Sequence, residues 1–339
     1  LDLNGKTFTG TTRGLLDGVG SLLDVNAATL TVQDSSAGQS GKLVADEYGI
    51  SAANNGKIIV NSGTIESNYA ALSGNNTNGD MNFEVNGGTL TSKLSEAIYM
   101  PGQVNLLVTG GEINGGISTR MGQITVTGGT INGMASGCDS ISDYYDYSGS
   151  AWIGDAIYVL AGTYNSENTE YGNTANITIS GGTINGSSQH GIAVYEIGTG
   201  EAQNVNVTIN GGMFSGAKGA VAVVSDGFEH SSTCNASRHQ TANPERVNTT
   251  VTIYAGYFTS EPDAAYLAPG KAVYLSNLAG YDYMVAAVEP ATPVTPSEPA
   301  VNPFNENAGK NSVKFGDVAD NAWYASAVNY AVDKGLMNG

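Results

Sequence analysis

Asn176-Ile177-Thr178-Ile179-Ser180-Gly181-Gly182-Thr183-Ile184-Asn185 holds the phrase whose reading decides the fold. It runs apolar, any, apolar, then a two-residue break usually written Gly-Gly, then one more apolar residue soon after it. The same phrase returns at Leu1/Leu3/Phe8, Ile58/Val60/Ile65, Phe83/Val85/Leu90, Leu106/Val108/Ile113, Ile124/Val126/Ile131, Val207/Ile209/Phe214 and Val251/Ile253/Phe258. Apolar residues two apart share one face of a strand, and these runs are too short and too rich in β-branched residues for helices. Glycine pairs supply backbone angles that a residue with a Cβ resists, so the chain turns a corner at each pair.

A third short strand follows each corner, as in Ala97-Ile98-Tyr99-Met100, Ala156-Ile157-Tyr158-Val159, Gly191-Ile192-Ala193-Val194 and Ala272-Val273-Tyr274-Leu275. A unit that cannot bury its own apolar face must stack on copies of itself. Three strands per coil with an irregular period predict an all-β parallel β-helix of about eight to ten coils. Burial of each inward aliphatic contributes about 1.5–3 kcal/mol, so the columns hold the stack without disulfides or metals. These residues resemble the right-handed parallel β-helix, or pectate-lyase-like, proteins, and in particular the carbohydrate-binding, adhesin-type members on bacterial surfaces. The resemblance covers residues 1–285 and implies the fold; the activity is open, because one scaffold carries lyases, hydrolases, adhesins and stalks.

The 339 residues carry 13 Lys and Arg against 31 Asp and Glu, a net charge of −18. No basic stripe exists for phosphate contacts, so nucleic acid is excluded as a partner, and polyanions are disfavoured unless cations bridge the charges. No stretch is long or apolar enough to insert in a membrane. The sequence starts within a strand phrase, which leads to the expectation of a piece of a longer secreted precursor. Cys138 and Cys234 fall in insertions at different corners and read as incidental thiols, with a disulfide as the weaker alternative.

Beyond Val288 the composition changes, with Pro290, Pro293, Pro296, Pro299 and Pro303 among Glu, Thr, Ser and Asn. Residues 286–312 therefore read as a semi-rigid spacer. In residues 313–339, Asp320 suits an N-cap, apolar residues recur at helical spacing, Lys334 suits the last turn and Gly335 the position after the helix. Phe315, Asp317, Val318, Trp323 and Gly335 closely resemble the anchors of the opening half of an S-layer homology repeat. That resemblance implies a bacterial cell-surface location, extracellular and held to the cell wall through wall polysaccharide, with no wall-binding residue assigned.

Specificity on a repeat scaffold sits in its insertions. About 160–175, 195–204 and 224–249 interrupt one corner, and about 134–154 leaves a neighbouring one. The last carries Asp139, Asp143, Tyr144, Tyr145, Asp146 and Tyr147, with Trp152 close behind. Aromatic rings stack on sugar C–H faces while carboxylates accept hydroxyl hydrogen bonds, so these residues are candidate glycan ligands; the alternative is a polar loop packed on the rod. Clustered oxygens at Asp139, Asp143 and Asp146 also suit calcium, although they match neither the EF-hand nor the glycine-rich nonapeptide calcium repeat, and no cofactor is required. Alternation predicts a second candidate, with Ile98, Ile157 and Val273 inward and Tyr99, Tyr158 and Tyr274 outward as a stripe for a glycan chain.

Catalysis by the polysaccharide-cleaving relatives implies paired carboxylates or calcium with a basic residue. Glu84, Glu112 and Asp155 form no evident pair, Arg120 alone among the arginines sits near a coil strand, and His190, His230 and His239 read as solvated or structural. The leading expectation is a wall-anchored protein that binds extracellular polysaccharide or a host or plant glycan. A polysaccharide lyase or glycoside hydrolase using Arg120 or the Asp139–Asp146 region is the first alternative, and a non-catalytic stalk the second.

Overall fold

In the computed structural model, the described residues are 1–10, 14–16, 19–74, 80–133, 154–161, 174–196, 203–225, 244–289, 318 and 324–336. They fall in two compact units, Leu1–Val288 and Glu289–Gly339. The first is all-β, built of stacked and mostly parallel strands, an arrangement compatible with a parallel β-helix.

One sheet collects the strand after each corner. Thr7–Gly10, Lys42–Ala45, Thr64–Ser67, Thr89–Ser92, Glu112–Gly115, Thr130–Gly133, Thr183–Asn185, Met213–Ser215 and Gly256–Phe258 lie side by side in that order, all parallel. Their register stacks Leu43, Ile65, Leu90, Ile113, Ile131, Ile184, Phe214 and Phe258 into one buried column. The Phe214 and Phe258 rings stack at 5.1 Å between centroids. Phe8 is the exception to its phrase: on the edge strand it has only Leu43 beside it and is 45% exposed.

A second sheet holds the remaining strands. Ile50, Leu72, Ile98, Ile117, Ile157, Ile192 and Val221 form an inward column from the third strands. Ile58, Phe83, Leu106, Ile124, Ile177, Val207 and Val251 form another from the first strands. In two repeats the third strand runs into the next first strand without a break, as Ile98–Val108 and Ile117–Val126.

The two corner positions, both glycine at Gly87-Gly88, Gly110-Gly111, Gly128-Gly129 and Gly181-Gly182, have separate tasks. At the second, Gly63, Gly88, Gly111, Gly129 and Gly182 have φ between +78° and +87°. At the first, a Cβ on Gly87, Gly110, Gly128 or Gly181 would stand 2.4–2.6 Å from a carbonyl oxygen of the preceding repeat. The stack is thus as tight at its corners as along its strands. Outward polar side chains continue the stacking: Asn132 donates to Asn114, Asn185 to Asn132 and Ser215 to Asn185, at 2.8–2.9 Å.

The structure contains a repeat that the glycine pattern does not reveal, Thr29–Val32 followed by Lys42–Ala45. Here residues 33–41 replace the glycine pair, and Asp34 organises them. Its carboxylate accepts from the backbone N–H of Gly41 at 2.5 Å, Gly5 at 2.8 Å and Ser36 at 3.1 Å. Burial works to raise its pKa, but those N–H groups outweigh it and hold the carboxyl down to about 2.

The far end also departs from the expectation of a parallel third strand at 272–275. Lys271–Leu275 pairs antiparallel with Tyr283–Ala287, which pairs antiparallel with Gly256–Phe258. This hairpin belongs to the sheet of post-corner strands and covers its last parallel member. In the second unit, the helix Ala325–Asp333 ends with Gly335 at φ +67°, Gly335 N–H donating to Val332 O and Leu336 N–H to Ala331 O. That is the glycine-terminated helix end that satisfies the last carbonyls.

Candidate functional site

Asp139, Asp143, Tyr144, Tyr145, Asp146, Tyr147 and Trp152 lie outside the described residues, as do Cys138, Cys234, His230 and His239. So do Phe315, Asp317 and Trp323; of the five wall-motif anchors, Val318 and Gly335 are described. Among the described residues no group of three or more His, Cys, Asp or Glu is arranged to hold a metal, and no helix is long and apolar enough to cross a membrane.

The tyrosine stripe is corrected by the structure. Register does align Tyr99, Ser118, Tyr158, Ala193 and Ala222 across the third strands. Yet Tyr99 is 3% exposed and Tyr158 fully buried, so neither ring presents a free face. Tyr158 donates its hydroxyl to Glu96 Oε2 at 3.0 Å, and Ser95 Oγ donates to the same oxygen at 2.7 Å. Tyr274 belongs to the other sheet, where its hydroxyl donates to Ala287 O. Alternation gave the direction of these side chains relative to the aliphatic core; it carries no information about what covers the opposite face. Arg120 is buried too, its carbonyl accepting from Gln203. Glu84 pairs with Lys57 at 2.5 Å on the first-strand face, and Glu112 is exposed.

A different set of residues comes together where the third strands begin. The residues two positions before the inward aliphatics form a column, in which Asp155 precedes Ile157, His190 precedes Ile192 and Gly219 precedes Val221. Asp155 is fully buried. Its Oδ1 accepts from the His190 N–H at 2.7 Å and lies 3.0 Å from His190 Nδ1, while Oδ2 accepts from the Tyr195 hydroxyl at 2.7 Å. Burial first, and then the Asp155 carboxylate, push the Tyr195 phenol well up, so it remains a donor. The pairing was readable in principle: aligning Ala156-Ile157 with Gly191-Ile192 sets Asp155 beside His190.

Next to this column a cleft of about 410 Å³ opens between the strand Gly219–Val224 and the segment after Gly256–Phe258. Lys218, Gly219 and Ala222 line one side, and Glu261, Asp263 and Tyr266 the other. Asp263 caps the short turn Ala264–Tyr266 by accepting from Ala265 N–H at 2.9 Å, which fixes Tyr266 at the rim. Burial, and beyond it the charges of Asp263 and Glu196, raise the Tyr266 pKa against a lowering hydrogen bond from the Val223 backbone. The phenol therefore stays protonated and serves as donor and acceptor. An aromatic ring, two carboxylates and an ammonium, beside the apolar Val221, Val223 and Pro262, within one cleft of this volume can grip a molecule with both hydroxyls and C–H faces. The loop-based sequence reading passed over these residues because the cleft walls come from two different repeats.

No family model matches the chain, and neither a curated protein nor a solved structure is significantly similar to it.

Proposed function

We propose that this protein is a bacterial cell-surface protein whose stacked repeats form a right-handed parallel β-helix, three strands per coil, that binds extracellular carbohydrate. The observation that carries the reading is the cleft lined by Lys218, Gly219, Ala222, Glu261, Asp263 and Tyr266. Its half-buried phenol offers a face to sugar C–H groups, and its carboxylates and ammonium offer partners to hydroxyls. The net charge of −18 favours neutral or amine-bearing saccharides over uronic acids. Asp139, Asp143, Tyr144, Tyr145, Asp146, Tyr147 and Trp152 are further candidate glycan ligands by their chemistry, with calcium at the three aspartates as a bridge to anionic glycans.

In the same reading, residues 286–312 are a proline-rich spacer and 313–339 a partial S-layer homology repeat that assigns the protein to the wall. Phe315, Asp317, Val318, Trp323 and Gly335 support that assignment. A rigid stack held off the wall suits repeated weak contacts with a polymeric ligand. A glycan array probed with the full chain, with and without calcium, tests the proposal. Binding of at least one saccharide class, weakened about tenfold by Tyr266→Ala, is expected; binding to no glycan overturns it.

A further inference from the structure

The cleft beside Gly219–Val224 carries negative charge that nothing in its walls answers. Its outer wall is pinned to the strand at two points: the Ser260 hydroxyl accepts from Ala220 N–H at 3.1 Å, and the Tyr266 phenol takes a hydrogen bond from the Val223 backbone. Glu261 and Asp263 lie between those pins and line the cleft. Asp263 uses Oδ1 to accept from Ala265 N–H, which leaves Oδ2 as an acceptor. Among the described residues the Glu261 carboxylate makes no hydrogen bond and no ion pair. Lys218, on the facing wall, is already engaged in an interaction elsewhere. A third carboxylate, the buried Glu196, accepts from the Thr249 hydroxyl at 2.6 Å. Burial first, and then the charges of Asp263 and Glu196, push the Tyr266 phenol up, so the ring at the rim stands in a negative field. The chain as a whole adds to that sign, with 31 acidic residues against 13 basic ones.

We propose that this cleft selects saccharides bearing a protonated amine, with a sugar C–H face on Tyr266 and the ammonium on Glu261 and Asp263, a proposal that rests on the carbohydrate-binding reading and names its ligand class. A glucosamine-type unit fits that description. Its ammonium brings three donors and a positive charge to two carboxylates that accept only, and charge-assisted hydrogen bonds are the stronger kind. A hydroxyl at the same carbon donates one hydrogen bond and leaves the charge in place, whereas a uronic acid meets repulsion from both carboxylates. Glu261 and Asp263 are exposed, so water screens the attraction and the preference is several-fold.

The test is calorimetric titration of the full chain at about pH 6, where a sugar amine is charged. The probes are β-1,4-linked glucosamine hexasaccharide and cellohexaose, which differ only in carrying an amine or a hydroxyl at C2. The glucosamine chain is expected to bind about fivefold more tightly, and the preference to fall to about twofold or less in about 0.5 M NaCl. Glu261→Gln shrinks the preference to about twofold by weakening the glucosamine chain more than cellohexaose. Glu112→Gln removes the same charge from an exposed position on the post-corner sheet, outside the cleft, and leaves the preference unchanged. Circular dichroism establishes that both variants fold. Equal affinity for the two probes, or a preference that Glu112→Gln lowers as much as Glu261→Gln, overturns the inference; cellohexaose binding that Tyr266→Ala weakens then leaves the carbohydrate reading standing. Binding of neither probe by a chain that retains another glycan on the array also overturns the inference alone. Binding to no glycan at all overturns the carbohydrate reading, and the inference with it.

Discussion

At the scale of single residues, the corner glycines set the tightest constraint. A Cβ on Gly181 would sit 2.5 Å from the Thr127 carbonyl oxygen, and that atom belongs to the backbone ladder of the preceding repeat. Gly181→Ala is therefore expected to cost about 1–3 kcal/mol by urea denaturation. Gly38→Ala, where nothing lies within 4 Å, should stay within about 0.5 kcal/mol. Asp34 supplies a second test at this scale. Its folded pKa of about 2 lies below the ordinary 3.8, so its contribution is fully present above about pH 4 and is lost as pH falls through about 2. Asp34→Asn should flatten the stability profile in that window, measured by thermal melts from pH 5 to pH 2. An unchanged acid limb would remove the three N–H contacts as its cause.

At the scale of elements, the aliphatic positions were legible wherever a glycine pair marked the corner, because inward spacing of two and a forced turn leave one way to stack. Ile131, Ile184 and Phe214 show this. Legibility failed where the corner chemistry changed. Asp34 and residues 33–41 do with side-chain acceptance what the glycine pair does with φ, so the repeat of Leu30, Val32 and Leu43 left no glycine signal. It failed again at Val273, since a strand's sequence records its inward face and not whether its neighbour runs parallel or antiparallel. The candidate site was less legible than the fold. Asp155 and His190 are 35 positions apart, and their pairing depends on register between repeats separated by an insertion. The terminal hairpin has its own consequence. Val285, 3% exposed, is registered with both Gly256 and Val273. Val285→Asp should detach Tyr283–Ala287 and bare the edge of Gly256–Phe258, an unpaired strand edge that recruits other chains. Concentration-dependent self-association by light scattering is expected; a monomer of unchanged melting temperature would contradict the capping role.

At the scale of the whole protein, repetition and interruption divide the labour. Aliphatic columns and corner glycines make the repeats of Leu1–Val288 interchangeable in the core, so what distinguishes one region from another is carried on the outward side. The Asp155–His190 pair and the Tyr266 cleft both occur toward the end of the stack closed by the hairpin, where Gly219–Val224 is the last third strand among the described residues. The segment Ser260–Tyr266 faces that strand across the cleft. Diffraction from crystals of the full chain soaked with the strongest glycan-array ligand tests the central claim most directly. The account predicts a sugar ring seated between Lys218 and Tyr266, with hydroxyls bonded to Glu261 or Asp263. A saccharide bound elsewhere with that cleft empty would contradict it.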